Sequence, residues 1–200
     1  MQQNIPEDKK QKIIDAAMQN FSKNGYKKTA VDEIVADAGI SKGLIFHYFG
    51  SKKKLYLYLY ELAYRMVYER VTKALTTAPS DLFERIRQSE QAKLEIVSQY
   101  PFVLDFLLST RSETDAKLLE ELEQIKSQSF PPWTESFFPG IDTYKLREDV
   151  TLDQAIKIIL WCTNGLLEEH KNNFALKEVI AEMDAYLATL RRAFYKEEYV

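Results

Sequence analysis

Residues 29–55, TAVDEIVADAGISKGLIFHYFGSKKKL, leave little freedom in how they can fold. Val31, Ile34, Val35 and Ala38 recur at the i, i+3, i+4, i+7 spacing that gives a helix one apolar face. Thr29 stands where it can cap that helix, with Asp32 three residues on in the capping-box position. Gly39 can take the positive φ that stops a helix. Ile40 and Ile45 flank the N-cap residue Ser41 as a hydrophobic staple, so a second short helix starts there. Gly50 ends it and Ser51 caps a third. Two short helices around a glycine turn form a helix-turn-helix, whose second helix is the one that enters a DNA major groove.

Lys52, Lys53 and Lys54 fill the first turn of the third helix. Cations there oppose the macrodipole, at a cost of about 0.3–1 kcal/mol each. The run is either a solvated accident or one side of an anion site that also uses free backbone N–H groups. Beside a helix-turn-helix, phosphate contact is the reading that explains it. The net charge of −3 conceals a matching asymmetry: residues 1–60 carry +4 and the remainder −7. A basic head on an acidic body is expected when only the head meets nucleic acid.

Two hundred residues at 46% apolar can bury a good core in one or two domains. Single Cys162 excludes an internal disulfide framework and fits a reducing compartment. Neither a signal peptide nor an apolar run approaching a membrane span is present in the sequence, so a cytoplasmic location is expected. Glycine and proline number six each and cluster at breaks, which argues for an all-α protein of about nine helices.

The first helix is expected from Pro6 or Glu7 to Asn24, with Ile14, Ala17, Met18 and Phe21 on one face and Gly25 as its stop. Lys52 to Thr76 reads as a helix of about 37 Å. A turn over Thr77–Ser80 then leads to a helix capped by Ser80 or Asp81 and reaching Gln99. Pro101 suits the first turn of a helix to Arg111, and another covers Asp115–Gln128. Ser129–Val150, with three prolines and Gly140, is irregular save for a helical turn at Trp133–Phe138.

Thr151 caps a helix to His170 in which AIKIILWC, residues 155–162, is apolar nearly all round. Such a helix must be covered on both sides. The last helix carries the stripe Leu176, Val179, Ile180, Met183, Leu187, Leu190 and Phe194, beside a line of small residues, Ala181, Ala185 and Ala188. Either one chain absorbs both helices, or they pair with their symmetry mates in a homodimeric four-helix bundle.

Residues 8–55 resemble the N-terminal DNA-binding domain of the TetR family of bacterial one-component transcriptional regulators. The resemblance rests on DKKQKIIDAAMQNFSKNGYKKTAVDEIVADAGIS and SKGLIFHYFGSKKKLY and covers about a quarter of the chain. It implies a helix-turn-helix domain over residues 1–52, a ligand-sensing and dimerisation domain over residues 53–200, and a homodimer through the last two long helices. It further implies a repressor released from a pseudo-palindromic operator by a small, largely apolar or aromatic effector. Carried over by position, the recognition helix is Lys42–Tyr48. Lys42 would reach guanine or a phosphate, with Gly43 allowing close approach and Leu44 meeting a thymine methyl. His47 and Tyr48 would donate to phosphates, and Ser41, Phe46, Ser51, Lys52 and Thr29 complete the DNA-contacting set. Leu44 stands where the family often has a small polar residue, and Phe46 where Tyr is usual, so a hydrogen bond is lost at each.

For the effector, Tyr64, Tyr68, Phe102, Phe106 and Trp161 are the first candidates among many aromatics, since flat or greasy ligands favour such walls. The rival is a DNA-binding protein whose body answers a protein partner or serves an architectural role. An enzyme is disfavoured. The only histidines are His47 and His170, and no zinc spacing, nucleotide-cradling glycine loop or GxSxG elbow occurs; no cofactor or metal is expected.

Overall fold

The computed structural model describes residues 6–77, 79–170 and 175–200, with side chains for all of these but Ser98, Thr134 and Leu176. Among them are α1 (Glu7–Lys28), α2 (Val31–Ala38), α3 (Lys42–Phe49), α4 (Lys52–Ala74), α5 (Leu82–Gln99), α6 (Val103–Thr110), α7 (Ala116–Ser129), α8 (Trp133–Phe137), α9 (Leu152–His170) and α10 (Leu176–Phe194). The protein is all-α, as its glycine and proline usage implies. Its extra helix is α8, the single turn foreseen within the proline-rich stretch. The Thr77–Ser80 turn contains Ala78, which lies outside the described residues.

Caps explain most boundaries. Asp81 Oδ1 accepts the Phe83 and Glu84 N–H groups at 3.1 and 3.2 Å and so starts α5. Asp115 does the same for Lys117 and Leu118, both at 3.1 Å, at the start of α7. Thr151 and Gln154 form a reciprocal box before α9. At α2 the expected cap is displaced by one residue. Ala30 is the N-cap, and its N–H donates to the Glu33 carboxylate at 3.2 Å. Thr29 is buried instead, donating its hydroxyl to the Gly25 and Asn20 carbonyls at 2.8 and 3.1 Å.

Gly25, with φ 72°, kinks α1 without ending it. Only glycine reaches that conformation without steric cost. The turn that follows is held by a Tyr26 N–H donated to the Glu113 carboxylate at 2.7 Å.

The chain divides into two compact units, Met1–Glu69 with Ile96–Pro131, and Arg70–Glu95 with Pro132–Val200. The first therefore holds α1–α3, most of α4, α6 and α7. Ile13, Ala17, Phe21, Ile34, Ile45, Leu55, Leu59 and Phe106 form its fully buried centre. Tyr56 meets Phe21 edge-on at 4.9 Å and Phe106 at 5.2 Å, so these rings form one cluster.

In the second unit α9 packs on α10, burying Ile156, Ile159 and Leu166 with Val179, Met183 and Leu187. His170 and Glu182 lie 3.0 Å apart across this pair. Asp81 receives both ends of the Arg191 guanidinium at 3.1 and 3.2 Å and the Lys145 ammonium at 3.3 Å, which fastens the C-terminal segment to the start of α5. Of the apolar stripe on α10, Val179, Met183 and Leu187 thus serve the chain's own core, while the side chain of Leu176 lies outside the described residues. Ala181, Ala185, Tyr186 and Ala188 on α10 stay exposed, as do Ile158, Trp161, Cys162 and Gly165 on α9.

Candidate nucleic-acid interface

α3 is fixed from beneath by Ile45, which is fully buried, and by Phe49, whose ring lies 5.3 Å from that of Tyr58 on α4. Between α2 and α3, Gly39 adopts the left-handed conformation (φ 63°) and its N–H returns to the Val35 and Ala36 carbonyls. Asn20 on α1 sets the angle of α2 by donating its amide to Asp37 Oδ2 at 2.7 Å and to its own helix at Ala16 O, 2.8 Å. No periodicity marks Asn20, and its role emerges only from the fold.

With Ile45 inward, Ser41, Lys42, Gly43, Phe46 and His47 are exposed, Phe46 at 42%, and Leu44 and Tyr48 are half-buried beside them. A Cβ built on Gly43 would meet nothing within 4 Å, so no packing inside the chain requires glycine there. Lys42 Nζ lies 2.8 Å from Asp32 Oδ1 of α2, an exposed pair of small energetic weight. His47 and Tyr48 meet edge to face at 5.1 Å.

The three lysines after Ser51 separate. Lys52 Nζ donates to the carbonyls of Tyr26 and Thr29 at 2.8 and 3.0 Å and sits 4.5 Å over the Tyr26 ring. It clamps the end of α1, where the macrodipole is negative. Burial lowers the pKa of its ammonium, and Glu113 opposes that shift. Lys53 donates to Glu121 on α7 at 2.6 Å, and that hydrogen bond raises its pKa. Lys54 is exposed, and among the described residues its ammonium has no partner. Its N–H donates to Ser51 Oγ at 3.1 Å, confirming Ser51 as the cap of α4. Two of the assigned DNA contacts are thereby corrected. Thr29, only 2% exposed, has its hydroxyl turned inward, and the Lys52 donors are spent on carbonyls. Of the three, Lys54 is the one whose ammonium stays free among the described residues.

Four of the five effector candidates lie in the first unit and Trp161 in the second. Tyr64 and Tyr68 both lie tilted against Phe130, at 4.7 and 5.3 Å. Phe106 is sealed in the core of the first unit, 5.2 Å from Tyr56. Trp161 is 70% exposed on the outer face of α9, and Phe102 lines a groove beside α1.

A helix-turn-helix with an outward second helix, on an otherwise helical chain, defines the class: a DNA-binding regulator fold. Residues 13–59 match the family model described as "Bacterial regulatory proteins, tetR family". Over those residues the chain is similar to the TetR family. A protein of Escherichia coli described as a probable acrEF/envCD operon repressor is 22% identical over 94% of this chain and 88% of its own length. Among solved structures, a TetR family regulator from Chloroflexus aurantiacus superposes with a TM-score of 0.73 at 21% identity, covering 97% of this chain and 96% of that one. FadR of Bacillus subtilis, crystallised with stearoyl-CoA, gives 0.66 at 17% identity, over 90% and 97%. Two further bacterial regulators match at 30% and 39% identity, but over only 39% and 29% of their own length. No helix among the described residues is long and apolar enough to cross a membrane.

Proposed function

We propose that the protein is a homodimeric, sequence-specific DNA-binding repressor in the cytoplasm, with its operator-reading part in residues 1–52 and its sensing and pairing part in residues 53–200. The observation that carries this reading is the α3 surface. Lys42, Gly43, Phe46 and His47 stand exposed on a helix anchored by Ile45, and Gly43 has no internal reason to be glycine. A backbone that must approach a groove closely supplies that reason. Lys42 exchanges Asp32 for guanine O6/N7 or a phosphate, an inexpensive exchange because the pair is exposed. Ser41, Tyr48, Ser51 and Lys54 hold the phosphates, and Leu44 and Phe46 meet apolar base edges.

One α3 reads too few base pairs to be selective, and pairing through α9 and α10 places two of them about 34–36 Å apart on one DNA face. The exposed Trp161, Ile158 and Tyr186, with the small residues Ala181, Ala185 and Ala188, support that pairing. A small, largely apolar effector bound by the C-terminal part releases the operator by shifting α4; the FadR structure with stearoyl-CoA supports an effector of this kind. Linkage requires the operator to weaken effector binding by the same factor.

The test is selection of bound duplexes from a random pool at controlled salt. A two-fold symmetric product with half-sites about one helical turn apart is expected. A product without symmetry removes the dimeric mechanism, and no enrichment over random duplex removes sequence-specific binding.

A further inference from the structure

Two adjoining hollows in the first unit share a wall. The inner one, about 220 Å³, lies among α1, α4 and the start of α6, with Met18, Tyr58, Met66 and Tyr100 in its lining. The outer one, about 390 Å³, reaches Ala38 and Gly39 at the corner that delivers the chain to α3. Asp15 and Phe102 line both.

Asp15 Oδ1 accepts the Gln11 amide at 2.8 Å, and among the described residues Oδ2 accepts nothing. The other charges at the inner rim, Glu7 and Lys10, face each other at 3.9 Å. In the outer hollow Asp37 is engaged by Asn20 and Lys12 is exposed. On the shared wall therefore stand one carboxylate oxygen with free lone pairs and the Phe102 ring, to which the inner hollow adds Tyr58, Tyr100, Met18 and Met66. Ring faces attract cations through their quadrupole, and a carboxylate adds a charge-assisted hydrogen bond or ion pair. Methionine sulfur and methyl groups adapt to varied apolar shapes.

We propose that these hollows form a binding site for a small organic ammonium ion with an aryl or short alkyl tail. The ammonium sits against Asp15 and the Phe102 ring, and the tail lies along Met18 and Met66. The inner volume suits such a tail, since a cavity of about 150 Å³ already takes benzene. The charged lining, Glu7, Lys10 and Asp15 of the inner hollow and Lys12, Asp15 and Asp37 of the outer, leaves one net negative charge in each, which favours a cation over a carboxylate of the same size. Part of its lining, Phe102 included, belongs to residues 53–200, but the site rests on its own geometry and stands whether or not an effector releases the operator. Its outer end touches the corner before α3, so occupancy bears on the helix-turn-helix from within the same unit.

The test is a titration of the full chain, labelled at the methionine ε-methyl groups, with benzyltrimethylammonium. Met18 and Met66 line the site, and Met183, in the second unit, is the internal control. Saturable shifts at Met18 and Met66 are expected, with Met183 unmoved and with no response to phenylacetate. Asp15→Asn should weaken binding roughly tenfold while Asp15→Glu retains most of it. Unmoved Met18 and Met66, an equal response to phenylacetate, or full affinity in Asp15→Asn overturns the proposal. The methionine spectrum of each unliganded variant reports that it is folded.

Discussion

Lys52, Lys53 and Lys54 carry one charge type at consecutive positions and meet three different surroundings: carbonyl oxygens, a carboxylate and solvent. Helical geometry turns each successive residue by about 100°, so neighbours in sequence cannot share a face. Lys52→Ala strips the donors from the end of α1 and should destabilise the protein by about 1–3 kcal/mol in chemical denaturation. Lys54→Ala should leave stability alone and lower the slope of log operator affinity against log salt by about one unit. A reversal of these two outcomes would remove the assignment of clamp and phosphate contact. The tyrosines offer a second residue-level test. Burial pushes the Tyr60 and Tyr195 hydroxyls up to about 12, and Tyr56 higher still. In the unfolded chain these groups ionise near 10.0, whereas the folded protein keeps their protons. The folded state then binds more protons, so their stabilisation is complete below pH 10 and is lost as pH rises toward 12. Ultraviolet titration of phenolate should show a late-ionising class in the native protein that shrinks in Tyr60→Phe. An unchanged late class would contradict the burial of Tyr60.

At the scale of elements, two carboxylates tie α1 and α4, the helices that flank the helix-turn-helix, to the α6–α7 region of their own unit. Glu113, in the link before α7, accepts the Tyr26 N–H released by the Gly25 kink, and Glu121 on α7 holds Lys53 on α4. A Cβ on Gly25 would approach Glu113 Oε1 to 3.3 Å, so the kink and its acceptor are fitted to each other. The Lys53–Glu121 pair is more than a third exposed on each side, and its contribution to stability is small. Its effect on charge is larger, because Glu121 neutralises a cation at the end of α4 nearest the proposed DNA surface. Glu121→Gln should therefore keep the melting temperature nearly constant while tightening duplex binding and steepening its salt dependence by up to about one unit. Weaker binding in that variant would show that Glu121 positions α4 and does not compete with phosphate.

For the whole molecule, the deciding feature is which sides of α9 and α10 the chain covers by itself. Leu187 is buried within its own unit, whereas Ala185 beside it is exposed. Ala185→Arg should convert a dimer into a monomer in analytical ultracentrifugation and leave helical content by circular dichroism intact. Leu187→Asp should instead lose helical structure, since an unpaired charge enters a packed core. A monomeric parent protein, or a dimeric Ala185→Arg, would move the pairing surface elsewhere.

The helix-turn-helix was legible because its information is local. Gly39 and Gly50, Ser51, and the apolar spacing of Ile34, Ala38 and Ile45 act over one or two turns, and each does so in the structure, while Ser41 is the N-cap of α3 by position, without a side-chain cap hydrogen bond. The all-α architecture was legible for the same reason. The cap at Thr29 was misplaced because a competing acceptor nine residues back, the Asn20 carbonyl, leaves no local trace. Likewise, that Lys52 would turn to the end of α1, that Phe106 would be sealed beside Phe21 and Tyr56, and that Trp161 would face outward depend on partners distant in sequence. Sequence by itself determined which helices form and which of them read as a DNA-binding motif, since backbone propensity and apolar period are properties of neighbouring residues. Tertiary structure alone decided which charges remain free and which aromatics remain reachable, since burial and pairing are set by whatever the fold brings alongside.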